Sequence, residues 1–256
     1  MSWQDCAALV ETGDPARFAA TMAAPVSARA RLMPLYAANL EIARAPWAAS
    51  DPVIGEMRLQ WWIDTIDDLS AGGVRPGHPV TEALAPMLVE HAGLSRLLGD
   101  IAEARRRDCW AEPFADRAEL ESYIDATAGN LMWAAAGVLG AGPEDEATVR
   151  LFANAAGMAA YFLAAPELAA RGRHPLVFAD RDMLRDLADA GLSAIRRARA
   201  ARPRRAVLPA FWTGAEAEAV LGQVAADPTR IEAGRLGRSP LAGKLALARR
   251  VMMRTV

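Results

Sequence analysis

The chain has 256 residues, 53% of them apolar, and a formal net charge of −2; that length buries a substantial core, and the charge gives no overall attraction for nucleic acid or an anionic membrane. Cys6 and Cys109 are the two cysteines, too few and too far apart for a disulfide framework or a thiolate metal site, which points to a reducing compartment. Lys244 is the lone lysine among 29 basic residues, so phosphate contacts would be made by forked guanidinium groups.

Taken in chain order, helical patterning predicts helices at 2–11, 15–23, 26–45, 52–70, 79–90, 93–108, 117–140, 144–165, 181–200, 214–226 and 239–254. Runs rich in Val, Ile, Thr and aromatics are missing, so the fold is expected to be all-α. Asp51-Pro52 reads as a cap followed by proline at the first helical position, while Ala71-Gly72-Gly73 and Pro76-Gly77 close that helix in a loop. Gly140-Ala141-Gly142-Pro143 separates two apolar helices that should pack antiparallel. Those two helices are dense in alanine and glycine, which either brings helix axes close together or leaves room beside a ligand. The helix opening with Asp180, Asp182 and Asp186 ends in Arg196, Arg197 and Arg199. Its charges complement the helix dipole, and a basic strip for a partner or lipid headgroups is the rarer use of such a pattern. No linker divides the chain, so a single domain over 1–256 is expected. Asp5 and Glu11 near the start argue against a secretory leader. The longest apolar stretches fall short of the ~20 residues of a spanning helix. A cytoplasmic protein, with at most peripheral association with a membrane, is expected.

The densest chemistry lies in Gly55-Glu56-Met57-Arg58-Leu59-Gln60-Trp61-Trp62-Ile63-Asp64. Glu56, Gln60 and Asp64 recur every fourth residue and share one helix edge, and Arg58 shares another with Trp62. Such a helix is either a core helix with its polar groups paired or solvated, or one wall of a polar and aromatic cavity.

Several segments in order resemble the squalene and phytoene synthase family, and more closely its divergent branch that includes mitochondrial complex I assembly factors. They are Asp14-Pro15-x-Arg17-Phe18, Leu35-Tyr36-Ala37-x-Asn39-x-Glu41-Ile42-Ala43-Arg44, the Glu56–Asp64 run, Tyr123-x-x-x-Thr127-Ala128-Gly129-Asn130, and Arg171-Gly172-Arg173-x-Pro175-Leu176. The resemblance spans roughly residues 14 to 180 and implies a helical bundle of the isoprenoid synthase type. Active members of that family hold a magnesium-bound diphosphate with two aspartate-rich motifs, because hard cations want several carboxylate oxygens. By the resemblance the first motif falls near 43, 44 and 47, where this chain has Ala43, Arg44 and Trp47, and the second falls across 161–170, where only Glu167 is acidic. Asp64, Asp67 and Asp68 share a helix face but read as a solvated helix end. Asp182 and Asp186 lie beyond the Arg171-Gly172-Arg173 landmark, and His78, His91 and His174 have no ligand spacing.

The expected site is therefore a cavity lined by Tyr36, Asn39, Glu41, Arg44, Glu56, Arg58, Gln60, Trp61, Asp64, Arg171 and Arg173, with no catalytic or metal-binding residue assigned. Three readings stay open: a catalytically degenerate binding or assembly protein, by resemblance one serving respiratory complex I; an active prenyltransferase; and an isoprenoid or lipid carrier. Magnesium is required by the second alone. The implied partners are a respiratory complex subunit or an isoprenoid or lipid, with peripheral placement at the inner membrane.

Overall fold

The computed structural model describes residues 3–48, 50–73 and 78–256, so the expected Pro76-Gly77 turn lies outside the described residues. Among the described residues every regular element is helical. Helices α1 (Trp3–Gly13), α2 (Pro15–Met22) and α3 (Val26–Arg44) are followed by a short 3-10 turn, Ala45–Trp47, and then by α4 (Pro52–Ser70). Next come α5 (Pro79–Glu90), α6 (Leu94–Ala104), a second 3-10 turn (Arg105–Cys109), α7 (Arg117–Ile124) and α8 (Asn130–Val138). The last part holds α9 (Glu146–Ala170), α10 (Arg181–Ala200), α11 (Leu208–Trp212), α12 (Ala217–Ala226), α13 (Thr229–Glu232) and α14 (Pro240–Met253). Among the described residues no helix is long and apolar enough to cross a membrane.

Local chemistry sets the helix starts. The carboxylates of Asp14, Asp51, Asp116 and Asp180 each accept a hydrogen bond from a backbone N–H in the first turn of the helix that follows, which satisfies donors that have no intrahelical partner. His78 does the same for α5, its Nδ1 accepting from the Val80 N–H at 3.3 Å. The core joins Leu32, Leu35 and Tyr36 of α3 to Leu59 and Ile66 of α4, Leu84 of α5, Leu98 of α6, Phe152 and Phe162 of α9 and Phe211 of α11. Burial of these side chains is the main force holding the bundle together.

Four differences from the expected helices matter. The predicted 117–140 helix contains a π turn over Asp125–Gly129, one residue wider than an α turn. Its two ends are tied to α9: Arg150 Nη1 donates to both Asp125 carboxylate oxygens at 3.3 Å, Arg150 Nη2 donates to Asn130 Oδ1 at 3.0 Å, and Asn154 Nδ2 donates to Asp125 Oδ1 at 3.0 Å. Helix α9 runs on to Ala170 through Pro166. The proline removes one backbone donor, yet the helix continues past it. The predicted 93–108 helix stops at Ala104 and tightens into the 3-10 turn that carries Arg105, Arg107 and Asp108. The predicted 214–226 helix begins at Ala217, and α11 and α13 arise where no helix was expected.

Candidate functional site

The end of α3, the two 3-10 turns, the α7–α8 hinge and the second half of α9 enclose a cavity of about 880 Å³. Small residues shape its wall. At Gly157 a Cβ would stand 2.6 Å from the Ala128 Cβ and 2.7 Å from Ile124 Cγ2, so glycine lets α9 close against the π turn while still bordering the cavity. The alanine-rich sequence thus gives both close packing and free space.

Six arginines line the cavity (Arg17, Arg44, Arg105, Arg107, Arg171 and Arg173) against three acids, Asp108, Glu112 and Glu167. Most of these guanidinium groups are held by a carboxylate. Arg17 pairs with Asp14 at 2.8 Å, Arg44 with Glu41 at 3.5 Å, Arg105 with Asp108 at 2.9 Å, Arg107 with Glu119 and Arg171 with Glu167. Arg173 differs. It donates to the backbone carbonyl of Asp108 at 2.9 Å and lies 5.0 Å from the Trp47 ring centre, with Arg171 at 5.1 Å from the same ring. Trp47 therefore contacts two guanidinium groups, an arrangement favoured by the negative face of the indole.

Below this rim lies a polar triad. Arg105 Nη1 donates to the Tyr123 hydroxyl at 2.9 Å, and that hydroxyl donates to Asp108 Oδ2 at 2.8 Å. Burial pushes the Tyr123 phenol well above its usual range, and Asp108 adds to the effect against the pull of Arg105. Burial works against the charge on Arg105, but Tyr123 and Asp108 outweigh it and keep the guanidinium protonated. Arg105 Nε is buried with no hydrogen-bond partner. Burial likewise raises the Tyr161 phenol, whose hydroxyl donates to the Pro175 carbonyl at 3.1 Å.

Both positions at which the resemblance places metal-binding acids border this one cavity: Ala43, Arg44 and Trp47 on one side, Ala164, Glu167 and Leu168 on the other. A magnesium-bound diphosphate needs a set of carboxylate oxygens. At these positions the chain offers Glu167 alone, already bound to Arg171. Among the described residues no group of three or more His, Cys, Asp or Glu side chains converges as a metal site. The residues present do not fit a magnesium cluster.

Of the eleven residues expected to line the cavity, Asn39, Arg44, Arg171 and Arg173 do so. Tyr36 is buried in the core with Arg17 stacked 5.0 Å from its ring, and burial lifts its phenol to about 12. Glu41 is the carboxylate that holds Arg44. The other five, Glu56, Arg58, Gln60, Trp61 and Asp64, lie on α4 and do not border the cavity. A Cβ on Gly55 would stand 2.9 Å from Cys109 Sγ and 3.2 Å from Pro46 Cα. This contact lays the start of α4 against the outside of the two 3-10 turns, and its inner face is filled by Leu59, Trp62, Ile66 and Leu69. The polar edge turns outward: Gln60 donates to Asp64 at 2.7 Å, and Glu56 accepts from the Trp110 indole at 2.8 Å. Sequence reasoning missed Arg105, Arg107, Asp108, Tyr161 and the hydroxyl role of Tyr123. The signal was the Arg105-Arg106-Arg107-Asp108 run at a helix end.

The sequence profile of the family described as Squalene/phytoene synthase matches residues 10–176. The chain belongs to the squalene/phytoene synthase family. It is similar to "NADH dehydrogenase (ubiquinone) complex I, assembly factor 6" of Homo sapiens and of Bos taurus, each 27% identical over 135 residues, which is 53% of this chain. The match spans 40% of the length of those relatives. Its fold is that of a dehydrosqualene synthase crystallised with a ligand, with a TM-score of 0.69 at 15% identity over 98% of this chain and 95% of the other. The squalene synthase HpnC from Alicyclobacillus acidocaldarius has the same fold, with a TM-score of 0.61 at 17% identity over 98% and 94%.

Proposed function

We propose that the chain is a member of the family without prenyl transfer activity, working as a binding or assembly protein in the maturation of respiratory complex I. One observation carries the first half of this reading. The two walls that would have to supply metal-binding carboxylates present Ala43, Arg44, Trp47, Ala164 and Leu168, with Glu167 bound to Arg171. Without such oxygens a diphosphate leaving group has no cation cluster to neutralise it. The second half rests on kinship with the complex I assembly factors. Incubation of purified protein with farnesyl diphosphate and magnesium should release no pyrophosphate above a heat-killed control; sustained turnover overturns the first half. Deletion of the gene should lower NADH dehydrogenase activity of complex I, and unchanged activity overturns the second. This reading places the protein in the cytoplasm, working at the inner membrane on a respiratory complex subunit.

The cavity supports a second reading, an isoprenoid or lipid carrier. A space of about 880 Å³ between Ile124, Leu131 and Ala160 on its apolar side and Arg44, Arg171 and Arg173 at its rim suits a long apolar chain with a polar head. Arg173, held by a carbonyl and an indole, is the cation best placed to meet an anionic head. Ligands that bind the folded state raise its melting temperature. A thermal shift with an isoprenoid alcohol, absent with magnesium pyrophosphate, would select the carrier; no shift with any isoprenoid would reject it.

A further inference from the structure

We propose that the outer face of α14 is a docking surface for an anionic lipid membrane. The helix is held from one side only. Leu247 and Val251 pack against the core, and just beyond the helix the Trp212 indole donates to the Thr255 carbonyl at 3.2 Å. No residue of α14 is buried. Leu241, Leu245 and Met252 are spaced four and seven apart, which puts them on one stripe. They are 69%, 63% and 82% exposed, and Met253 beside them is 60% exposed.

Charge decides what this stripe meets. Helix α14 carries Lys244, Arg249 and Arg250 and no acid, and Arg254 follows it. Two acids beside the helix are already engaged, Glu218 by Arg199 and by Arg250 of the helix itself, and Glu216, next to Gly243, by Arg238. Among the described residues Lys244, Arg249 and Arg254 form no ion pair. At helical spacing Lys244 and Arg249 flank the apolar stripe on opposite edges. An apolar protein groove would not require the two rows of cations. A membrane with anionic headgroups matches both features, taking the leucine and methionine side chains into the acyl boundary and the cations at the phosphates. This surface lies beyond residues 10–176, the part that matches the family, and stands or falls separately from the reading of the cavity.

The test uses the full chain and co-sedimentation with vesicles of phosphatidylcholine alone or mixed with phosphatidylglycerol, at low and high salt. Binding is expected on the mixed vesicles only, weakening as salt rises. The double variant K244Q/R249Q should bind roughly 25-fold more weakly, at about fivefold for each cation removed near an anionic surface. L245S/M252S should lose binding while circular dichroism and melting temperature stay as in the wild type. R58Q/R96Q, which removes the same charge from exposed sites on α4 and α6, should bind as the wild type does. Equal binding to uncharged vesicles, an effect of R58Q/R96Q as large as that of K244Q/R249Q, or unchanged binding of L245S/M252S would overturn the proposal. So would lipid-free self-association that L245S/M252S abolishes, which would assign the stripe to a second copy of the chain.

Discussion

The end of α3 with the 3-10 turn after it and the start of α4 combine the same side-chain types: Glu41, Arg44 and Trp47 in the first, Glu56, Arg58 and Trp61 in the second. Trp47 lies against two guanidinium groups in the cavity wall, whereas Trp61 is 39% exposed and packs its ring against Trp62 and His78. Arg44 borders the cavity and Arg58 faces solvent. The difference comes from what packs behind each segment. Gly55 brings the start of α4 onto Pro46 and Cys109, so α4 spends its inner face on packing and has none left for the cavity. Residue type sets what a surface can do, and backbone approach sets which surface it is.

The largest break in this comparison is expected at Arg105, on the cavity side. Replacing it with leucine leaves Asp108 and the Tyr123 hydroxyl without their cation in a largely buried setting, and removing one partner of such a pair costs about 3 kcal/mol or more. Chemical denaturation at neutral pH would read it, and a loss below 1 kcal/mol would show that water already solvates the triad.

Gly157→Ala sharpens the contrast with the α4 side. The added Cβ meets the Ala128 Cβ and the branched Ile124 side chain, at 2.6 and 2.7 Å. Neither can rotate far away, so a loss of about 1–3 kcal/mol is expected. Gly55→Ala meets the Cys109 thiol first, at 2.9 Å, and should lose less because the sulfur can turn aside. The reverse order in melting temperature would mean that α4 is held more rigidly than the cavity wall.

Asp14→Asn gives a smaller effect with a defined pH dependence. The asparagine keeps the cap on α2, but the ion pair with Arg17 is lost. Burial tends to raise the Asp14 carboxyl, but Arg17 outweighs it and holds the group below its usual value. A depressed carboxyl stabilises the fold above the unfolded-state value, near pH 4, and loses that contribution as pH falls through the lower folded value. With both partners partly exposed, the variant should lose about 0.5–1 kcal/mol at neutral pH. The gap to wild type should close in acid, and a gap that stayed constant from neutral to acid pH would contradict the assignment. Smallest of all is Asp64→Asn on the outer edge of α4, which should change stability by no more than about 0.5 kcal/mol and leave any cavity ligand bound as before.

Much of the fold was legible because helix starts are written locally. The Asp51-Pro52 cap and the acids that open at Asp180 placed α4 and α10 within the chain, and 52–70, 79–90 and 181–200 fall where the patterning put them. The π turn was not legible, since Tyr123 to Gly129 has ordinary helical composition and the extra residue is stabilised by Arg150 and Asn154 from another helix. The run through Pro166 escaped for a similar reason: a proline reads as a stop unless the surrounding packing is known. Arg44, Arg171 and Arg173 could be placed at the cavity because the family resemblance fixed where its motifs should fall. Arg105 and Asp108 are three residues apart, but Tyr123 joins them from 18 residues beyond Arg105, and no spacing rule reaches that far. On α4 the sequence showed which residues share an edge but not which way that edge faces.

The π turn at Asp125–Gly129 makes chain length itself a lever on the cavity. An α turn holds about 3.6 residues and a π turn about one more, so deleting one residue from that turn would restore regular winding while everything after it, Leu131 included, kept its facing relative to Tyr123 and Ile124. Only the turn itself, which sets Thr127 and Ala128 in the cavity wall, would be recast. A lineage could thus reshape this part of the wall by a single codon lost or gained, with the helix on either side of it left in place.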